Sequence, residues 1–587
     1  MKSQSRSLLV LVLVLLGGFV HGALEQLPKE PLPSAETLAI NEGKTILFAN
    51  PLPRRRCGNV ECGTYNNWEL AFPGVLTTAG ADFGNVLWNL RKVVWADRRL
   101  VFVKGRTLMC QLNWIRDHIH QMKGFRHWEY DLTSFLDFIL DTQREDGQFY
   151  ELIKQLDDRH WSFVPPDCRI LYPEDNQSLV RLELEADIEY LMVEGCLQAW
   201  RVNGDDEWLR RALPRLEKGI DYMTSDPKRW NNAHGLCMRP YTIDTWDFTN
   251  DPRSGSNRSV VLSEPMSIMH GDNTGVYQAM NQLAWINERF GQLDKADSWR
   301  KRADELKANM FKYLWNGSFF CHQLPLNCKP LDEHENERLS LSMAYALNRG
   351  ILTLEQKRGV VAEYKKRREK TKGFSEWFTI DPAYEPSFHG NLPGQYVNGA
   401  LSPFTAGELA RGAFECGEES YGWDILSRVA KMVKRDDGKL YFLYEPATGE
   451  PQGRGPSAWG AAAILAAVDE GLAGVQDVDT QYRKIRFAPR WAVTPFAEGR
   501  YLTGYEASHK TVDVRWVFAE NGFRYNLRSP ANVIEVHLLV PEGKTIAKLL
   551  VDGVKMPFSL VNVGASRYMD LSVNPENGVV DFEVLYD

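Results

Sequence analysis

The chain has 587 residues, 44% of them apolar and 25% charged, with 29 prolines and 45 glycines. That is ordinary globular composition and excludes disordered or collagen-like structure. Its formal charge of −8 gives no basic footprint for nucleic acid, and its length suffices for a sizeable core.

The N-terminus reads as a targeting segment. Lys2 and Arg6 precede an uncharged apolar run from Leu8 to Val20, and the small residue Gly22 stands before Ala23. This is the pattern of a signal peptide over 1–22, with cleavage expected between Gly22 and Ala23 and a secreted or periplasmic destination. The run is shorter than the roughly 20 residues that a bilayer requires. No later segment matches that length and apolarity, so no membrane span is expected after cleavage. Export permits disulfides. Of the nine cysteines, Cys57 with Cys62 and Cys321 with Cys328 are spaced to close small loops. No Cys-x-x-Cys pair supports a zinc ribbon. Asn176, Asn257 and Asn316 each begin an N-x-S sequon.

The stretch 23–105 reads as a lead-in, partly extended. From about residue 115 to 475 helix follows helix: Trp114–Gly124, Tyr130–Glu145, Leu182–Val202, Asp206–Thr224, Asn273–Phe290, Ala296–Leu314, Glu337–Asn348, Leu354–Lys366, Gly399–Cys416, Tyr421–Lys434 and Ser457–Glu470. In Asn273–Phe290 the apolar positions Val276, Ala279, Leu283, Ile286 and Phe290 trace one face of a 3.6-residue period. Long loops at 225–271 and 367–397 are the expected seats of function. At about 60 residues per helical hairpin, six hairpins fit 106–480 and can close into an (α/α)6 toroid. A superhelical solenoid shares the periodicity, but no strict short repeat is present. After Pro489 the pattern turns to β: Tyr525–Leu527, Val533–Val540, Ile546–Val551, Arg567–Val573 and Val579–Tyr586, separated by Pro-Glu-Gly, Asp-Gly and Glu-Asn-Gly turns. The expected fold is mainly α, with a C-terminal β-sandwich over 481–587.

Four blocks carry candidate chemistry. Trp114, Arg116 and Asp117 combine an aromatic platform with two charged groups able to grip vicinal hydroxyls; the alternative is a helix cap with a salt bridge. Asp244, Trp246 and Asp247 lie in the long loop before a helix, where an aromatic neighbour and partial burial raise a carboxyl pKa as a general acid requires. Asn398, in Gln395-Tyr-Val-Asn398-Gly-Ala-Leu-Ser-Pro403, either caps the next helix or offers its amide to a hydroxyl. Glu445, in Tyr444-Glu445-Pro-Ala-Thr-Gly449, is placed to activate water, with Trp459 following at a helix start.

Taken in order, these blocks resemble the inverting six-hairpin glycosidases, which include trehalases, processing α-glucosidase I enzymes and glucoamylases. Trp114–Asp117 resembles the W-x-R-D start of the glucoamylase barrel. Thr245–Thr249 is similar to the trehalase segment GWDFS, Gln395–Pro403 to QWDxPNGWAP, and Tyr444–Gly449 with Trp459-Gly460 to the block that carries the general base. The PRPESYREDW signature has no counterpart, and Glu445 is followed by Pro446 and Ala447 rather than a tyrosine two places on, so the resemblance does not extend to a trehalase. It implies a glycoside hydrolase acting on an oligo- or polysaccharide, without cofactor or metal. Asp247 is then the acid (Asp244 the runner-up), Glu445 the base that activates water, and Trp114, Arg116, Asp117, Asp244, Trp246, Asn398 and Trp459 line the sugar subsite. Inversion requires the two carboxyls about 6.5–9.5 Å apart. Alternatives are a sugar phosphorylase, an α-L-rhamnosidase-like enzyme using Glu264 or Glu385, a lyase, and a non-catalytic glycan-binding protein.

Overall fold

A computed structural model describes residues 47–48, 81–156, 164–243, 260–371, 374–388 and 390–587. Among them are twelve α-helices: α1 (Ala81–Ala96), α2 (Ile115–Phe125), α3 (Ser134–Asp141), α4 (Ile188–Asn203), α5 (Asp206–Met223), α6 (His270–Arg289), α7 (Leu293–Tyr313), α8 (Ser342–Ala346), α9 (Leu354–Thr371), α10 (Pro403–Phe414), α11 (Glu419–Arg435) and α12 (Ala458–Ala466). Alternate helices pack on one another in sequence. Helix α2 lies against α4, α4 against α6, α6 against α8, α8 against α10 and α10 against α12, and α12 returns to α2. The other six attach to this set: α5 and, more lightly, α3 to α4, α7 to α6, α11 and α9 to α10, and α1 to α12.

Burial follows from these roles. Helix α10 is buried on nearly every side, whereas α7 buries only the stripe Ala296, Trp299, Ala303, Leu306 and Met310, as an amphipathic outer helix should. Helix α12 reads Ala-Trp-Gly-Ala-Ala-Ala-Ile-Leu-Ala, and its small side chains admit three neighbours at close range. A Cβ added at Gly407 of α10 would lie 2.5 Å from the Ala463 carbonyl carbon, and one at Gly124 would lie 3.2 Å from the Ala462 Cβ. Helix starts are capped locally: Ser402 accepts from the Thr405 amide with Pro403 in the first turn, Ser457 accepts from Gly460, and Asp205 from Trp208.

Several elements differ from the sequence expectation. Helix α1 falls in the stretch read as partly extended. Gly84, Asn85 and two adjacent valines weaken its propensity, but Phe83, Val86, Leu87, Leu90 and Val94 fall on one face and are buried. The extended part there is the hairpin of Arg98–Val103 with Arg106–Gln111. Helices α3 and α8 are shorter than read, and the last helix passes into a π turn over Ala467–Leu472. Cys321 and Cys328 are free thiols, not a disulfide. Cys321 donates to the Leu314 carbonyl and Cys328 to that of Met266. The signal segment, Cys57, Cys62 and Asn257 lie outside the described residues.

Two sheets follow α12, the larger joined at its edge by Leu47–Phe48 from the N-terminal side. One has seven strands, among them Glu498–Tyr505, Lys510–Ala519, Gly522–Arg528 and Val579–Tyr586; the other has five, centred on Val533–Val540 between Lys484–Phe487 and Ser566–Val573. Their apolar faces meet where Phe487 packs 5.7 Å from Tyr525 and 6.1 Å from Phe582. Buried Arg490 and Tyr568 fasten them to the helices through Glu415 and Glu419.

The contact at Gly407 is testable. Replacing it with leucine forces α10 off α12, and overpacking of this kind costs about 1–3 kcal/mol. Gly407→Leu should lower the thermal unfolding midpoint, whereas an unchanged midpoint would contradict the close approach of the two helices.

Candidate active site

The third and fourth blocks converge on one apolar cluster, which Ile243 also joins. Ile243, the last described residue before Asp244, packs there with Tyr345, Tyr384, Val397, Phe404 and Trp459, while Tyr396 and Phe442 flank it. The third and fourth blocks also share backbone bonds. Leu401 donates to the Tyr444 carbonyl at 2.8 Å, and Tyr444 returns the bond at 2.9 Å. Gln452, from the strand Pro451–Pro456 that pairs with Tyr441–Tyr444, donates to the Gly394 carbonyl at 2.7 Å. Trp459 is held at the base of this assembly. Its ring stacks on His120 of α2 at 4.3 Å and on Phe404 of α10 at 4.9 Å, and its indole N–H donates to the Tyr345 hydroxyl at 2.8 Å. That seats α2, which the first block opens, against the helices that carry Phe404 and Trp459.

Glu445 follows the strand Tyr441–Tyr444 and is half-buried. A turn fixes it: its amide donates to the Glu450 carbonyl, the Gly449 amide donates back, and one carboxylate oxygen accepts from the Thr448 amide at 2.5 Å. Burial raises its pKa, but the bonds from Thr448 and Ala447 together outweigh it and hold the group below the usual glutamate range. The group is therefore ionised at neutral pH and able to accept a proton.

Arg116 is buried and engaged. Its guanidinium grips Asp187 through two nitrogens, one at 2.7 Å, and contacts Glu185. Burial opposes the charge, but Asp187 keeps its pKa above the ordinary arginine value. Arg116 acts as a rigid anchor of the first block, whose Trp114 and Asp117 are half-buried. Loss of water raises Asp117 to about 6 against the attraction of Arg116. Nearby Glu151 is fully buried and accepts from the Leu182 amide at 2.8 Å; burial pushes it to about 7, against Arg181 and Arg116.

Asn398 neither caps the following helix nor reaches outward. Ser402 makes the cap, and both Asn398 amide protons are committed to backbone carbonyls, Tyr384 at 2.9 Å and Asn391 at 3.0 Å, while its oxygen accepts from the Tyr384 amide at 2.8 Å. It shapes the loop that faces the Glu445 turn. Trp459 is likewise buried and serves as the floor. Of the rhamnosidase-like alternatives, Glu385 is exposed and Glu264 half-buried. Asp244, Trp246 and Asp247 lie outside the described residues.

One group escaped sequence reasoning. Glu335 sits in the charged run Asp332–Arg338, which reads as solvated surface, yet it is buried. Tyr241 donates to it at 2.8 Å, Tyr384 at 2.9 Å, and His322 and Arg338 lie at 3.2 and 3.4 Å. Despite burial, His322 and Arg338 hold its pKa below the usual range. It anchors Tyr241, three residues before Asp244. Among the described residues, no group of three His, Cys, Asp or Glu side chains is arranged to hold a metal ion, and no helix is long and apolar enough to cross a membrane.

Residues 111–460 match the family model described as mannosylglycerate hydrolase MGH1-like glycoside hydrolase domain. No curated protein matches the sequence. Among solved structures, the GH78 family rhamnosidase of Bacillus sp. GL1 aligns over 79% of this chain and 42% of its own, with 13% identity and a TM-score of 0.53. Streptomyces avermitilis α-L-rhamnosidase, complexed with L-rhamnose, aligns over 85% and 41%, with 13% identity and a TM-score of 0.51. The GH63 mannosylglycerate hydrolase from Thermus thermophilus aligns over 65% of this chain and 99% of its own, with 13% identity and a TM-score of 0.47. This chain spans less than half the length of the rhamnosidases, and the likeness to them is one of fold.

Glu151 generates a pH prediction. Its folded-state pKa of about 7 lies above the ordinary glutamate value of 4.5, so the native state holds the proton more tightly than the unfolded chain. The associated stability is present below about pH 4.5 and lost as pH rises through about 7. Glu151→Gln should flatten the fall in urea midpoint across that window, and a fall as steep as in the parent would contradict the assignment.

Proposed function

The chain belongs to the mannosylglycerate hydrolase MGH1-like glycoside hydrolase family, and from that premise we propose that it is a secreted glycosidase that cleaves an oligo- or polysaccharide by single displacement with inversion. The supporting observation is the Glu445 turn, which holds an ionised carboxylate facing the Asn398 loop above the cluster that also seats Ile243. In this reading Asp247 protonates the departing glycosidic oxygen. Glu445 removes a proton from water on the opposite face of the ring, and one attack inverts the anomeric centre. Trp114, Asp117 and Trp246 meet the sugar, and Arg116 keeps the first of these blocks in place through Asp187.

The same reading makes 106–480 an (α/α)6 toroid, supported by the closed series of contacts from α2 through α12 back to α2. Residues 481–587 form the β-sandwich, and 1–22 a signal peptide whose removal leaves Ala23 at the mature N-terminus. Mannosylglycerate and L-rhamnosides, named for the family and its structural neighbours, head the substrate panel.

Asp247→Asn and Glu445→Gln should each lower turnover by about 10²–10⁴-fold with unchanged circular dichroism. Near-parental turnover removes the residue from its role. Proton NMR of the first-formed anomer should show the inverted configuration, and net retention would refute single displacement.

A further inference from the structure

A concavity lies toward the other ends of the same helices. Trp114, Phe404 and Trp459 stand at helix starts, whereas this cavity is walled by later positions on α2, α4, α6 and α10, by the residues after α8 and by the π turn. With its mouth it encloses about 500 Å³. Tyr345, whose hydroxyl takes the Trp459 indole proton, separates it from the candidate active site.

Its charges are unevenly matched. Lys123 lies 2.5 Å from Glu408 and 3.8 Å from Glu194, and Glu470 is shared by Arg126 and Arg411, each at 2.5 Å. The three glutamates are thus met by three cations. Arg201 and Arg349 also line the cavity, and among the described residues neither has a carboxylate within ion-pair distance. Arg349 is held by the Gly271 carbonyl and the Thr274 hydroxyl, both at 2.8 Å, and lies over the rings of Tyr190 and Tyr345. Two acceptors in the lining are also unsatisfied: Gln198 Oε1 and Gln282 Oε1 are buried without a hydrogen-bond partner, and Gln198 is only 4% exposed. A buried amide oxygen without a donor is costly, and water or a ligand hydroxyl relieves it.

We propose that this cavity is a binding site for a hydroxylated oxyanion, a sugar acid or a sugar phosphate, whose anionic oxygens meet Arg201 and Arg349 and whose hydroxyls donate to Gln198 and Gln282. The site stands apart from the glycosidase chemistry, since none of these four residues is assigned to it. Guanidinium recognises carboxylate and phosphate through the same paired geometry, so the two sources are separated by experiment.

Isothermal titration of the full chain with D-gluconate, D-glucose 6-phosphate and D-glucose, at low and high salt, tests this. At least one anion should bind, more weakly in high salt, and glucose should not. Whichever anion binds tighter identifies the source. Arg201 is half-exposed and free of ion pairs among the described residues, so Arg201→Ala should leave the thermal midpoint unchanged while weakening the anion by about tenfold or more. Gln282→Leu should weaken it as well. Absence of anion binding, equal binding of glucose, or an affinity untouched by Arg201→Ala would each overturn the proposal. None of these results bears on Asp247 or Glu445, so failure here is distinct from failure of the hydrolase reading.

Discussion

Trp459 ties together the parts on which the candidate site rests. His120 stacks on its indole from α2 and Phe404 from α10, and Tyr345 of α8 takes its N–H. Three helices distant in sequence are thereby held at one level by a single side chain from α12. Burial drives the His120 pKa far down, with Lys123 adding to the effect, so the stack is between neutral rings. Such pairs contribute about 0.5–1.5 kcal/mol each beyond the area they bury. Their directionality also sets the heights at which the loops above leave the helices. The Glu445 turn, the Asn398 loop and the chain entering Asp244 all rise from this floor.

The two ends of the helix set differ electrostatically. Asp187 stands at the start of α4, Asp272 in the first turn of α6 and Asp117 in the first turn of α2, where carboxylates complement the exposed amides of helix N-termini. Lys123 and Arg126 stand at the end of α2, where cations complement the carbonyls. Buried arginines offset the carboxylates at the upper end, with Arg116 against Asp187 and Arg239 3.6 Å from Asp272. Asp117 and Glu445, the described acids of the four blocks, are both half-buried. At the lower end, cations outnumber carboxylates inside the cavity that Arg201 and Arg349 line.

Much of this was legible in the chain. The helices from Asp206 and Leu354 and the strands Val533–Val540, Ile546–Val551 and Val579–Tyr586 begin where their patterns begin, because burial of one face is written into residue spacing. Cap residues such as Asp205 and Gly204 mark boundaries through local hydrogen bonds or left-handed backbone. Helix α1 was obscured because Gly84 and Asn85 are poor helix formers, and only tertiary contacts, chiefly with α12 and also with Trp423 of α11 and Phe496, supply the burial that offsets them. Glu335 was obscured by its charged neighbours; its burial comes from Tyr241, His322 and Tyr384, up to about a hundred positions away in the chain.

The linear order of residues is enough to set the succession of elements, the change from helix to strand after Pro489 and the four blocks with chemical potential, since each depends on neighbours within a few positions. What those side chains do emerges only on folding. Asn398 spends its amide on the backbone of Tyr384 and Asn391, Arg116 is locked to Asp187, and Trp459 becomes a floor. A side chain's role depends on which partners reach it, and those partners arrive only when α12 packs back against α2 and brings the ends of the helical region together.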